Sequence, residues 1–280
     1  MSLAVTDESG ESSAISNSTI MSQVAEGLAE MYDALPVPLN FDLTVAEALY
    51  VQLYVDTDEK TGKQTSRKER DAKGYTNSGL IYGEVEFGPF AEVLINLKRY
   101  GLLLGPKNEN DLTPLPKFVD IGCGIGKAVF TAALVAEWRE CVGIEILEGL
   151  YNVCEGIFEK WQKEIHDQLP EERQQTNVYF TRGDATALAW ADADVVFANS
   201  TCFSPELMNL LAAKASLLKD GAVFITTTKQ LPSEKFVLLE ERIIHQSFGQ
   251  GTIYIHMKGE SHSRKAIAKA MGSEVEEAEA

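Results

Sequence analysis

The residues best suited to chemistry form a glycine-rich segment that follows a short apolar run. Gly122, Gly124 and Gly126 alternate with other residues, and Asp120 stands two positions before the first glycine. Glycines at this spacing let the chain turn tightly and let a ligand approach the backbone closely. A helix predicted to start at Lys127 would offer that ligand free N–H groups and the positive end of its dipole.

The acid before the turn separates this segment from ordinary dinucleotide-binding loops. Those loops follow the pattern Gly-x-Gly-x-x-Gly and bind a pyrophosphate, which the carboxylate of Asp120 would repel. The same carboxylate suits a ligand that carries an ammonium group, such as the methionine part of S-adenosylmethionine. We therefore expect this cofactor at the glycine-rich turn.

Polar side chains also end or follow three later strands of the predicted sheet. Glu145 ends the second strand, where a carboxylate can accept hydrogen bonds from both hydroxyls of a ribose. Asp184 follows the third strand and could bond an adenine amino group, although such a residue alone is more often a turn residue or a helix cap. Asn199 closes the fourth strand. Because the carboxyl ends of parallel strands line one crevice, these residues and Asp120 predict a single site.

The elements that must position these side chains alternate between strand and helix, which is typical of a parallel sheet built by right-handed crossovers. The predicted strands cover residues 117–121, 141–146, 177–181, 195–199, 222–228, 236–246 and 252–258. The predicted helices cover residues 21–35, 44–55, 84–104, 127–138, 150–165 and 205–218. The last two strands form a hairpin, which requires at least one antiparallel pair. The fold class is thus α/β, a doubly wound and mostly parallel Rossmann-like sheet with a C-terminal antiparallel hairpin and a small helical N-terminal part.

Composition and pattern divide the chain into four predicted segments. They are disordered residues 1–20, a helical part with a cofactor-covering loop at 21–104, a cofactor-binding domain at 105–258 and a flexible acidic tail at 259–280. Within the helical part, residues 56–73 mix acids and bases and contain no apolar residue except Ala72. We interpret them as a solvated turn or mobile loop.

The charge of the chain bears on its partners. It has 25 basic and 42 acidic residues, a net charge of −17, and its first basic residue is Lys60. Such a field repels phosphates, so we expect no strong binding of nucleic acid. It is compatible with basic protein partners, including histones and ribosomal or elongation proteins. Solubility alone explains the charge equally well.

Membrane, secretory and metal-binding classes have little support in the sequence. No apolar run reaches 18 residues, and the N-terminal residues lack the pattern of a signal peptide. We therefore expect no membrane span and a location in the nucleus or cytoplasm. The four cysteines contain no Cys-x-x-Cys pair, and only four histidines accompany them. Neither a metal site nor a disulfide framework is expected.

From about residue 75 to 258 the sequence resembles class I methyltransferases, and within them the disruptor-of-telomeric-silencing family of histone lysine methyltransferases. The matching motifs are Ile81-Tyr82-Gly83-Glu84, residues 120–127, Glu145, Gly183-Asp184 and residues 199–206. The resemblance implies S-adenosylmethionine as the cofactor and lysine on a basic protein, such as a histone, as the acceptor. It implies cofactor contacts from Tyr82, Gly83, Glu84, Asp120, Gly122, Gly124, Gly126, Lys127, Glu145, Asp184, Ala185 and Asn199. In that family the Tyr-Gly-Glu loop folds over the cofactor, and Glu84 would reach its amino group.

The chain departs from this family at three places. Ala185 stands where the family usually has an aromatic residue that stacks on adenine. Ser200 and Thr201 replace an Asn-Phe pair beside the transferred methyl group. The basic segment with which the family grips nucleosomal DNA is absent from this chain.

Methyl transfer to lysine needs a neutral, aligned amine in a dry channel rather than a strong acid. Asn199 is the candidate for positioning that amine through its side-chain carbonyl. Tyr254, on the last strand, is a second candidate for the channel wall, although a tyrosine there could equally belong to the core or the surface.

Three other classes of protein share parts of this pattern. A nicotinamide-dependent oxidoreductase would share the glycine turn and Glu145, but Asp120 and the terminal hairpin disfavour it. A methyltransferase for small molecules or nucleic acid would share everything up to Asn199. A catalytically silent cofactor-binding scaffold would be expected to lose the strand-end acids, which this chain keeps.

Overall fold

A seven-stranded sheet forms the centre of the molecule. The computed structural model describes residues 4–6, 12–14, 43–75, 78–97, 114–246 and 249–259. The strands of the central sheet are β3 (Lys117–Ile121), β4 (Glu140–Glu145), β5 (Asn177–Arg182), β6 (Val195–Ala198), β7 (Val223–Thr227), β8 (Phe236–Gln246) and β9 (Gly249–Lys258). Their order is β5-β4-β3-β6-β7-β9-β8. Strands β3 to β7 pair in parallel, and β9 is antiparallel to both β7 and β8. The predicted fold class is confirmed.

Seven α-helices accompany the sheet in the described residues. They are α1 (Leu43–Tyr54), α2 (Glu59–Lys73), α3 (Phe87–Asn96), α4 (Lys127–Val135), α5 (Glu148–Lys160), α6 (Glu171–Gln174) and α7 (Pro205–Ala215). Helix α5 continues into a π-helical turn, Trp161–Ile165. The predicted helix 21–35 lies outside the described residues. Two short strands, β1 (Ala4–Thr6) and β2 (Ser12–Ala14), pair within the segment interpreted as disordered. The predicted division into four segments otherwise stays a prediction.

The burial of β3 explains why the sheet is central. All five of its residues are buried, and successive side chains enter different cores because strand side chains alternate between faces. Phe118 packs in the core with α1, α3, α4 and α5, whereas Val119 packs in the core with α7. The chain runs from β3 to β4 and β5 on one side and places β6 and β7 on the other. The switch between β3 and β6 opens a crevice at the carboxyl ends of the strands.

The interpretation of residues 56–73 as a turn or loop is wrong, because most of this segment forms helix α2. Asp58 caps its first turn with its side chain, and Gly74 ends it at φ +65°. Ion pairs one turn apart, such as Lys73 Nζ to Glu69 Oε1 at 2.6 Å, support its surface. A helix of this kind needs no apolar stripe, because caps and side-chain pairs stabilise it and polar contacts dock it.

Those docking contacts join α2 to α5 and to residues 78–86, the covering loop that precedes α3. The Ser66 hydroxyl donates to the Leu80 carbonyl oxygen at 3.0 Å. The Glu69 carboxylate accepts from the N–H groups of Glu148 at 3.1 Å and Gly149 at 2.6 Å. These N–H groups belong to the first turn of α5 and have no acceptor within that helix. Glu69 therefore caps a second helix across the tertiary structure.

Replacing Glu69 with alanine is expected to lower the free energy of unfolding at pH 7 by about 1 kcal/mol, the usual cost of losing such a cap. Burial raises the pKa of Glu69, but hydrogen bonds from Lys73, Gly149 and Glu148 outweigh it and hold the pKa below its usual value. Since the folded pKa is depressed, the stabilisation is present above the unfolded value of about 4.3. It is lost as the pH falls through the folded value.

Urea unfolding at neutral and acidic pH measures this effect. The control is Glu47→Ala, which removes an exposed acid of α1. The difference between wild type and Glu69→Ala should shrink in acid. Equal stability of the two proteins at pH 7 would show that the cap contributes nothing.

Candidate active site

A cavity of about 670 Å³ occupies the crevice at the carboxyl ends of the central strands. Its lining comes from the ends of β3 and β4, the turns after β4, β5 and β6, helix α7 and the covering loop, together with Lys63 of α2. The residues predicted for the site that line the cavity are Tyr82, Gly83, Gly122, Glu145, Asp184, Ala185 and Asn199. The predicted residues outside its lining are Glu84, Asp120, Gly124, Gly126, Lys127 and Tyr254.

The glycine turn after β3 requires residues without side chains. Gly122, Gly124 and Gly126 all have left-handed backbones, with φ of +75°, +57° and +85°. A Cβ atom on Gly124 would overlap the ring of Tyr82. The hydroxyl of Tyr54 donates to the carbonyl oxygen of Ile125 at 3.0 Å. The turn is thus held between α1 and the covering loop.

Glu145 ties the glycine turn to the end of β4. Its carboxylate is buried and accepts from the N–H groups of Gly124 at 2.8 Å and Leu147 at 2.7 Å. Burial raises the pKa of Glu145, and the hydrogen bonds from the backbone oppose that rise. A carboxylate offers about four lone-pair sites, so both oxygens keep capacity for hydroxyl donors from a ligand.

Asp120 is a buried acid close to a second buried acid, Glu145. Only 3% of the Asp120 residue is exposed. Burial raises its pKa well above the usual value, and the nearby charge of Glu145 raises it further. An uncompensated buried carboxylate is costly, and a cationic ligand nearby would relieve that cost. The residue thus fits a cofactor that carries an ammonium group.

Glu84 and Lys127 bond to each other rather than line the cavity. Lys127 Nζ lies 2.7 Å from Glu84 Oε2, and the Tyr82 hydroxyl donates to Glu84 Oε1 at 2.5 Å. Lys127 Nζ also lies 4.9 Å from the centre of the Tyr54 ring, within range of a cation–π contact. These contacts hold the covering loop against the first residue of α4.

The amide of Asn199 joins the covering loop to the ends of β6 and β7. Its Nδ2 donates to the Gly83 carbonyl oxygen at 3.2 Å, and its Oδ1 accepts from the hydroxyls of Thr227 at 2.7 Å and Thr201 at 3.2 Å. The Gly83 oxygen can only accept, which determines the orientation of the amide. Both lone pairs of Oδ1 are therefore in use, unlike the predicted arrangement in which this oxygen holds the acceptor amine.

A hydroxyl cluster of Thr201, Thr227 and Thr228 at this end of the site was missed from the sequence. Thr201 Oγ1 lies 3.0 Å from Thr228 Oγ1 and 3.3 Å from Thr227 Oγ1. Thr228 has φ +64°, the one positive φ outside glycine in the described chain. Such a backbone is costly for a β-branched residue and tends to occur at functional sites. A run of threonines predicts an extended strand, so the sequence carried no signal of this turn.

The remaining predicted residues occupy ordinary structural positions. Asp184 Oδ1 accepts from the N–H and hydroxyl of Thr186, both at 2.8 Å, so it closes a turn while it lines the cavity. The carbonyl oxygen of Ala185 accepts from Trp190 Nε1 at 2.8 Å. Tyr254 pairs with β7, and its ring centre lies 6.3 Å from that of His256.

No cluster of acids, histidines and cysteines in the described part of the chain could hold a metal ion, and no helix there could cross a membrane.

The fold is a doubly wound sheet with a reversed final strand pair. It carries a glycine turn after its central strand and acids at the strand ends, and this is the architecture of a class I methyltransferase. The sequence model of the family described as "Histone methylation protein DOT1" matches residues 68–250, more than half of the chain. The chain belongs to this family. A histone-lysine N-methyltransferase of Dictyostelium discoideum, H3 lysine-79 specific, is 29% identical over 159 residues. The match covers 55% of this chain and 8% of the length of that relative.

Solved structures with related folds are more distant. Magnesium protoporphyrin IX methyltransferase of Synechocystis, solved with bound SAM, is 15% identical at a TM-score of 0.44, over 88% of this chain and 99% of its own. A putative RNA methyltransferase of Pyrococcus horikoshii is 14% identical at a TM-score of 0.46, over 78% of this chain and 98% of its own. Likenesses this weak say nothing about the acceptor.

Proposed function

We propose that this chain transfers a methyl group from S-adenosylmethionine to a lysine side chain of a basic protein. The observation that carries the proposal is the carboxylate of Glu145, which two backbone N–H groups hold at the wall of the cavity beside the glycine turn. Membership of the DOT1 family supports the reaction type.

The residues at the strand ends fit the parts of the cofactor. Glu145 would accept the ribose hydroxyls, and Asp184 would face the adenine. Asp120 would compensate the charge of the ammonium group from its buried position behind the lining. The cofactor supplies a methyl group on a positively charged sulfur, which leaves as a neutral thioether.

The acceptor end of the cavity would align a neutral amine. Phe203 and Leu207 contribute apolar lining, and Thr201 lines the cavity beside them. A dry surface of this kind favours the uncharged form of an amine. The hydroxyl of Thr201 could accept an N–H from that amine, whereas Asn199 would act as a positioning residue that holds Thr201 and Gly83 in place.

The choice of a basic protein rests on charge. A net charge of −17 attracts basic surfaces and repels duplex DNA. A histone acceptor, as in the name of the Dictyostelium relative, would place the reaction in the nucleus. Free histones and ribosomal or elongation proteins should then be better acceptors than intact nucleosomes.

The test compares methyl incorporation from labelled S-adenosylmethionine into free histones, nucleosomes, transfer RNA and a pool of metabolites at matched salt. We expect label in free basic proteins, at a rate that falls as salt rises because salt screens the attraction. Mass spectrometry of the labelled protein should locate the methyl group on lysine. A clear preference for nucleosomes would refute the charge argument, and label confined to RNA or metabolites would refute lysine methylation.

A further inference from the structure

Lys63 gives the cavity a positive charge that the family resemblance does not assign. Among the lining residues of the cavity, in the described part of the chain, it is the one lysine or arginine. The charged lining residues besides it are acids: Glu145, Asp184 and Glu206. Lys63 precedes residue 68, where the match to the DOT1 family begins.

The packing of α2 places Lys63 at the wall. The preceding residue, Gly62, is buried, and a Cβ atom there would overlap the ring of Tyr82. The same ring covers Gly124 in the glycine turn, so this turn of α2 lies one ring away from the proposed cofactor loop. Ser66, one turn further along, is fixed by its hydrogen bond to Leu80. These contacts of its neighbours fix the backbone of Lys63 beside the cavity.

The proposed cofactor has one anionic group, the carboxylate of its methionine part. An acidic wall repels that group, and Lys127, the first residue of α4, does not line the cavity. We propose that Lys63 binds this carboxylate. The Lys63 ammonium lies 2.6 Å from Glu59 Oε1, and its three N–H donors let it bond the ligand and Glu59 together. The inference rests on the proposed function, since it assumes this cofactor.

The experiment compares two ligands on the full chain by calorimetry. One is S-adenosylhomocysteine, and the other is its decarboxylated analogue, which keeps the adenosine, thioether and amine. Lys63→Gln should weaken the binding of S-adenosylhomocysteine by about tenfold, as expected for the loss of a partly solvated charge-assisted hydrogen bond. Its affinity for the decarboxylated analogue should stay within about twofold of wild type, because the lost partner is absent from that ligand.

Two further variants separate a direct contact from a general effect of charge. Lys68→Gln makes the same charge change at an exposed site of the same helix, away from the cavity lining, and should leave both affinities unchanged. Lys63→Arg keeps the charge and should retain most of the affinity for S-adenosylhomocysteine. Wild type must bind both ligands for this comparison. If Lys63→Gln then weakens the binding of both ligands equally, or weakens the binding of neither, Lys63 does not bind the carboxylate. If wild type binds neither ligand, the proposed function itself fails.

Discussion

Glu145→Ala is expected to weaken the binding of S-adenosylhomocysteine at least a hundredfold and also to destabilise the fold. Hydrogen bonds to a charged group contribute about 1.5–3 kcal/mol each, so losing two ribose contacts would weaken binding at least a hundredfold. The same carboxylate accepts from Gly124 and Leu147. Its removal leaves two buried N–H groups without an acceptor, which costs about 1–3 kcal/mol for each.

Calorimetry and urea unfolding measure the two effects separately. Wild type should bind S-adenosylhomocysteine in the micromolar range, about −8 kcal/mol, and nicotinamide dinucleotides should not displace it. Glu92→Ala, at an exposed acid on α3, is the control for charge. A folded Glu145→Ala protein with unchanged affinity would show that this acid does not hold the ribose.

Asn199→Ala is expected to lower kcat for methyl transfer by about a hundredfold while cofactor affinity changes little. Asn199 bonds Gly83 on the covering loop and two hydroxyls of the cluster. Without these bonds the acceptor end of the cavity loses its shape, and misplacement by about 1 Å can cost this much rate. The expected loss lies in kcat because the amide orients the site rather than binding the cofactor.

Steady-state kinetics at saturating cofactor test this on the acceptor that the labelling experiment identifies. Thr227→Val removes one of the two donors to Asn199 Oδ1 and should cause a smaller loss of kcat than Asn199→Ala. Affinity for S-adenosylhomocysteine should remain within a few-fold of wild type in both. An unchanged kcat in Asn199→Ala would exclude the positioning role.

Local pattern determined most of the fold. Strands β3, β4, β6 and β7 are short apolar runs separated by turns, and a fully buried parallel strand has that pattern. The reversed pair β8 and β9 followed from a tight turn between two extended segments. The proximity of the glycine turn and Glu145 was also predictable. The order of the strands brings their carboxyl ends together independently of the side-chain conformations.

Only the tertiary structure decided the roles of the long polar side chains. Nothing in the sequence near Glu84 or Lys127 shows that they pair, and Lys63 stands in a segment whose polar composition predicted a loop. Helix α2 forms because Asp58 caps it and because Glu69 reaches α5, a contact between residues 80 positions apart. A long side chain can reach many partners. Which of them it bonds depends on the groups that the folded chain places beside it.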